Sequence, residues 1–162
     1  MERDAARVVL ERMETADVAH RYATAIDAKD WTLLRTVFAD EVEADFRSFG
    51  SREVYRGGAA GWVDAIRETI AGMDATQHLM ANHVHAFDGA DRCTLTTYLR
   101  AEHFLINDRG DDSYTVGGFY VWRLVRAASG WRAAAYALNV TWARGNRGLL
   151  AMARRRAKNL SS

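Results

Sequence analysis

The sequence has no proline, one cysteine and no long apolar run, and each absence excludes something. Without proline, chain reversals must rest on Gly, Asp and Asn, and slow prolyl isomerisation cannot limit folding. With Cys93 alone, no intramolecular disulfide can form, so stability must come from a packed core. No apolar stretch reaches the roughly 18 residues that span a bilayer. Residues 1–11 carry Glu2, Arg3, Asp4, Arg7 and Glu11 in place of an apolar leader with a cleavage site. A cytoplasmic protein without membrane association is therefore expected. An excess of one charge is lacking too. The 22 Lys+Arg nearly cancel the 21 Asp+Glu, which leaves no broad basic field for nucleic acid and favours an uncharged or weakly charged ligand.

What is present suffices for one domain. The 162 residues are 49% hydrophobic and include five Trp, six Phe and six Tyr, enough for a single core. Residues 1–14 read as an N-terminal extension, 15–145 as one α+β domain and 146–162 as a basic helical tail or lid. The helical period of Ala16, Ala19, Ala23 and Ile26 predicts a helix from about Thr15 to Asp27. Asp30 stands as an N-cap before Trp31, Leu33, Leu34, Val37 and Phe38, a second short helix. Val42, Ala44 and Phe46 alternate as a short strand, and the segment Tyr55-Arg-Gly-Gly58 reads as a turn into a third helix carrying Trp62, Val63, Ile66 and Ile70.

The period then changes. Thr76 to Phe87, Cys93 to Ile106, Tyr114 to Val125 and Trp131 to Trp142 are β-type runs separated by Gly- and Asp-containing turns. Helices first and long strands afterwards predict a cone-shaped, curved antiparallel sheet packed against N-terminal helices and enclosing a pocket. Outward residues near Tyr98, Phe104, Val121 and Val125 are apolar enough to predict a homodimer or homotrimer.

Strict alternation places His103 with Cys93, Leu95, Thr97, Leu99 and Ala101, and His78 with Met80, Asn82, Val84 and Ala86. Each residue alone reads as core packing or a satisfied polar group. Their convergence on one apolar interior predicts a small-molecule site, with Asp27 as the carboxylate able to orient His78 for proton transfer. No G-x-S-x-G elbow or H-E-x-x-H motif is present, and alternation turns His83 and His85 away from His78, so neither a nucleophile nor a metal is expected. Gly57 to Gly61 lacks the following Lys-Ser/Thr of a phosphate loop.

The stretch from Tyr22 through Asp27 and Asp30-Trp31 to Ala44-Asp-Phe46-Arg-Ser-Phe49, with Thr76-Gln-His78, Leu99-Arg-Ala-Glu-His103, Trp131 and Trp142, resembles scytalone dehydratase over most of residues 15–145. Gln77-His78, Asn82-His83 and Gly117-Gly118 are similar to the wider SnoaL-like group, within the nuclear-transport-factor-two-like superfamily. The resemblance implies that Asp27 orients His78, that His103 lies across the pocket as a second acid/base, and that no cofactor or metal takes part. Candidate substrate contacts are Tyr22, Phe46, Phe49, Asn82, Phe119 and Tyr120. The two tyrosines that hold a carbonyl-polarising water in the dehydratase correspond to Ile26 and Phe46, and its fourth-strand Ser and Asn to Gly117 and Phe119. This implies a different phenolic or polyketide-derived substrate. The expected chemistry is that of a lyase, a dehydratase of a cyclic hydroxy-ketone. A polyketide cyclase or isomerase, an epoxide hydrolase built around Arg100, and a non-catalytic binding protein are the alternatives.

Overall fold

The computed structural model describes residues 5–160. The chain runs α1 (Ala5–Ala28), α2 (Trp31–Arg35), β1 (Phe38–Asp45), a 3-10 turn (Arg47–Phe49), β2 (Tyr55–Gly58), α3 (Ala59–Ile70), β3 (Ala75–Asp88), β4 (Arg92–Phe104), β5 (Ser113–Ala127), β6 (Gly130–Gly145) and α4 (Leu149–Leu160). The six strands form one curved, unclosed sheet in the order β2-β1-β6-β5-β4-β3, with the helices over its concave face.

Four local readings are corrected. The sheet is mixed, because β1 runs parallel to β6 while the other pairs are antiparallel. Val37 and Phe38 lie outside α2, and Phe38 opens β1 so that its ring packs at the core centre. Tyr55–Gly58 is a strand on β1, its glycines facing Glu41 and Val42 across the ladder. Finally, α1 begins at Ala5, ten residues before the predicted start. Its extra turns are tied down by Glu11, which is 4% exposed and held by Arg126 at 3.2 Å, and by the Thr15 hydroxyl at 3.0 Å from His85.

The α1 terminus shows why the following elements sit where they do. Lys29 adopts φ 54°, a left-handed residue that ends the helix, and its ammonium donates to the Met73 carbonyl at 2.6 Å. Asp30 then caps α2, accepting the Leu33 N–H at 2.8 Å. The end of α1 is thereby fastened beside the start of β3.

Several register slips bend the sheet. In β3 the register slips between Ala81 and Val84, and Asn82 takes φ 51°, a conformation that asparagine tolerates better than most residues. Opposite Gly117 and Gly118 of β5, β6 slips by one residue at Thr141. A side chain on Gly117 would overlap the Trp142 indole, and one on Gly118 would overlap the Asn139 carbonyl. Behind the bend lies the main core, in which Trp122 stacks on Tyr136 at 4.6 Å between centroids. A second cluster of Met73, Leu105, Tyr114, Val116, Leu149 and Ala153 docks α4 against the open end of the sheet. There Gly72 lets the Ala153 backbone approach more closely than any side chain would permit.

Candidate active site

The last turn of α1 delivers Asp27 to the first residues of β3. Its Oδ2 accepts the His78 backbone N–H at 2.8 Å, while Oδ1 accepts the His78 ring Nδ1–H at 2.7 Å and the Thr76 hydroxyl at 2.9 Å. A carboxylate can only accept, so Nδ1 carries the ring proton and Nε2 of the neutral imidazole keeps its lone pair. Burial pushes the Asp27 carboxyl up, but hydrogen bonds from the His78 ring, its backbone and Thr76 outweigh this and hold it below its ordinary range. The orienting carboxylate therefore stays ionised at neutral pH.

His103, on β4, lies 5.8 Å from the His78 ring centroid and edge-on to it. Its Nδ1 is 3.1 Å from the Tyr114 carbonyl, which cannot donate, so Nδ1 again carries the proton and Nε2 is the acceptor. Burial, and then the neighbouring His78, press its pKa down to about 4. At neutral pH this ring is an uncharged acceptor.

Facing the histidines is a chain of buried hydroxyls. The Trp62 Nε1–H donates to the Tyr136 hydroxyl at 2.7 Å, and the Tyr22 hydroxyl lies 3.4 Å from those of both Tyr136 and Tyr120. Burial, together with the mutual repulsion of the three phenols, raises all their pKa values well above the ordinary one, so they remain neutral donors. Because Trp62 can only donate, it fills an acceptor site on Tyr136 and biases the chain to pass its hydrogens towards Tyr22 and Tyr120.

His78, His103, Tyr22, Tyr120 and Trp62 line one cavity of about 210 Å³, closed by Ile26, Phe46, Phe49, Leu99, Ala101, Val116 and Leu138 and reached past Ser51, Thr69 and Arg154. An apolar cavity of about 150 Å³ accommodates benzene, so this one suits a single ring with a few substituents. Of the expected site residues, the structure brings His78, His103, Tyr22, Phe46, Phe49 and Tyr120 onto its wall, with Asp27 directly behind His78.

Two expected contacts are corrected. Asn82 is exposed at the β3 bulge, and the extra residue there reverses the alternation that had put it inside. Phe119 points to the outer face of the sheet, where it meets Tyr98 at 6.4 Å. The same β3 bulge turns His83 and His85 to the inner side with His78, against expectation. They pack further along α1, His83 2.8 Å from His20 and His85 against Thr15, and no metal-binding group of three occurs among the described residues. Arg100 pairs with Glu102 on the exposed face, away from the cavity. Sequence reading missed Thr76, Trp62, Tyr136 and Arg154. Thr76 shares the parity of His78 and was legible. Tyr136 was not, since β6 carries an extra residue opposite Arg123 and Leu124, which moves its inner face from Trp131 and Ala133 to Tyr136 and Leu138.

The curved α+β sheet thus encloses a mainly apolar cavity with a histidine–aspartate pair on its wall, in a fold of the nuclear-transport-factor-two-like kind. Residues 7–137 match the SnoaL-like domain, and the chain belongs to that family. A protein from Kribbella flavida is 30% identical with a TM-score of 0.81, covering 91% of this chain and 99% of its own. At 14% identity, two chains share the fold. One is from Novosphingobium aromaticivorans, with a provisional assignment as a scytalone dehydratase (TM-score 0.75, 89% of this chain and 93% of that one). The other is a hexachlorocyclohexane dehydrochlorinase from Novosphingobium barchaimii (TM-score 0.74, 90% and 96%). No curated protein matches the sequence significantly.

Proposed function

We propose that the protein is a cofactor-independent lyase that removes water from a cyclic hydroxy-ketone or a polyketide-derived aromatic precursor. The Asp27–His78 pair on the wall of an otherwise apolar cavity carries this reading. His78 Nε2 takes the proton from the carbon beside the carbonyl, and the electrons of the broken C–H bond pass to the carbonyl oxygen as an enolate. Asp27, ionised and bonded to Nδ1–H, stabilises the imidazolium that results. Tyr120, at the end of the chain Tyr136–Tyr22–Tyr120, donates its hydrogen to the enolate oxygen, a role that the hydroxyls behind it pre-orient. The enolate then collapses to a carbon–carbon double bond and expels the β-hydroxyl, which recovers the proton from His78 Nε2 and leaves as water. His103 Nε2 accepts a hydrogen bond from that hydroxyl beforehand and fixes its position. No proton remains on the protein after the cycle.

The same first step serves cyclisation or isomerisation, and product analysis separates these from elimination. The test is incubation with a panel of monocyclic hydroxy-ketones, following enone absorbance and the loss of one water by mass spectrometry. Turnover that disappears in His78→Gln supports the reading. Binding of panel members without chemical change would favour a non-catalytic binding protein.

A further inference from the structure

The arginine-rich C-terminal segment reads in sequence as a solvated tail or a lid, but in the fold it is a wall of the site. Leu149 and Ala153 are fully buried, and Arg156 pairs with Asp74 at 2.6 Å. This seats α4 so that Arg154 lines the cavity mouth. The Arg154 Nε–H donates to the Thr69 hydroxyl at 3.1 Å, which orients the guanidinium and leaves its two terminal nitrogens directed elsewhere. Arg147, just before α4, donates to the Phe49 carbonyl at 3.0 Å and so places a second positive charge beside the Phe49–Ser51 rim. Among the described residues neither arginine has a carboxylate partner. Among the described residues that line the cavity, Arg154 carries the one permanent charge. Near-neutrality of the whole chain thus conceals a positive mouth on a neutral cavity.

We propose that Arg154 receives a carboxylate, so that the substrate is a single-ring compound with its reacting carbonyl at His78 and an acid group at the opposite end. The orientation towards His78 rests on the lyase reading, whereas the preference for an acid does not. A guanidinium held at Nε offers two parallel N–H groups, a fork that fits the two oxygens of a carboxylate. A neutral ligand of the same shape leaves that fork to water.

The test compares phenylpropanoate with phenylpropanamide, equal in size and different in charge, by Trp fluorescence or calorimetry at low salt. The wild type is expected to bind the carboxylate about ten- to a hundredfold more tightly than the amide. Arg154→Met, which keeps the aliphatic stem, should bring the ratio close to one, and Arg154→Lys should restore part of it. Arg155→Met, on the exposed side of the same helix, should leave it unchanged. Equal binding of acid and amide, no measurable binding of the acid at millimolar concentration, or equal losses in the Arg154 and Arg155 variants each overturn the proposal. His78→Gln is measured in parallel. A preserved ratio there alongside absent turnover in the wild type would refute the lyase reading and leave the acid preference standing.

Discussion

The deep end and the mouth of the cavity are built on different principles. At the deep end, His78, His103 and Tyr120 stand on adjacent long strands, and Asp27 makes three hydrogen bonds to β3. At the mouth, Phe49, Trp62 and Arg154 come from a 3-10 turn and two helices, with single hydrogen bonds such as that from Arg154 to Thr69. The deep end lies within the family match at residues 7–137, and α4 lies beyond it. On the proposed reading, proton transfer falls on the hydrogen-bonded long strands and selectivity on segments that could be exchanged without disturbing them.

If that division holds, substitutions at the deep end should act on kcat. The largest effect is expected from His78→Gln, a loss of about 10²–10⁴ in kcat with the melting temperature nearly kept. A near-normal kcat would break the comparison. Asp27→Asn should follow with a loss of about tenfold or more. It alters the hydrogen-bond pattern at Nδ1 and removes the charge that supports the imidazolium, so a pH–rate profile should show the acidic limb displaced upon substitution.

His103 offers a thermodynamic check. Its folded pKa of about 4 lies below the ordinary 6.5. As pH falls between these values the unfolded chain therefore takes up a proton that the folded one refuses. This group's contribution is complete above about pH 6.5 and is lost towards pH 4, by up to about 3 kcal/mol. Urea titrations across that window should show the loss, and His103→Gln should reduce it, leaving a remainder from His83 and His85, whose pKa values burial also lowers. Asp27, with its lowered pKa, keeps its contribution throughout that window and loses it only at lower pH, so the two effects can be resolved.

The smallest expected effect concerns assembly. Leu79, Tyr98, Phe104 and Ile106 are 40–70% exposed, and a dimer or trimer through these outward residues is expected in sedimentation, without change in kcat when it is weakened. A single-chain mass at micromolar concentration would contradict it.

Much of this was legible in the sequence, for identifiable reasons. The helix-then-strand order, the Asp30 cap and the inward face of β4 follow from periods and short-range chemistry. His103 fell on the inner face as counted because β4 carries no extra residue, and His78 because Thr76 and Met80 lie on its own side of the bulge, whereas the count onward to Val84 and Ala86 crossed the bulge and failed. Asn82 failed because a one-residue bulge is invisible to alternation, and Tyr136 was missed for the same reason on β6. The parallel pairing of β1 with β6 and the docking of α4 are long-range choices, decided by which apolar faces remain to be covered, and no local pattern encodes them.

The β3 bulge has one more consequence. β3 is an outer strand of the sheet and 14 residues long, and its margin, covered by Asp27 at the His78 amide, is a row of backbone groups on which another chain could grow a fibril. The twist at Asn82 breaks that row into two short pieces that no straight strand can follow together. Straightening it by deleting one residue between Ala81 and Val84 should therefore do more than redirect histidines: it should turn a sheet margin that resists aggregation into a template for it.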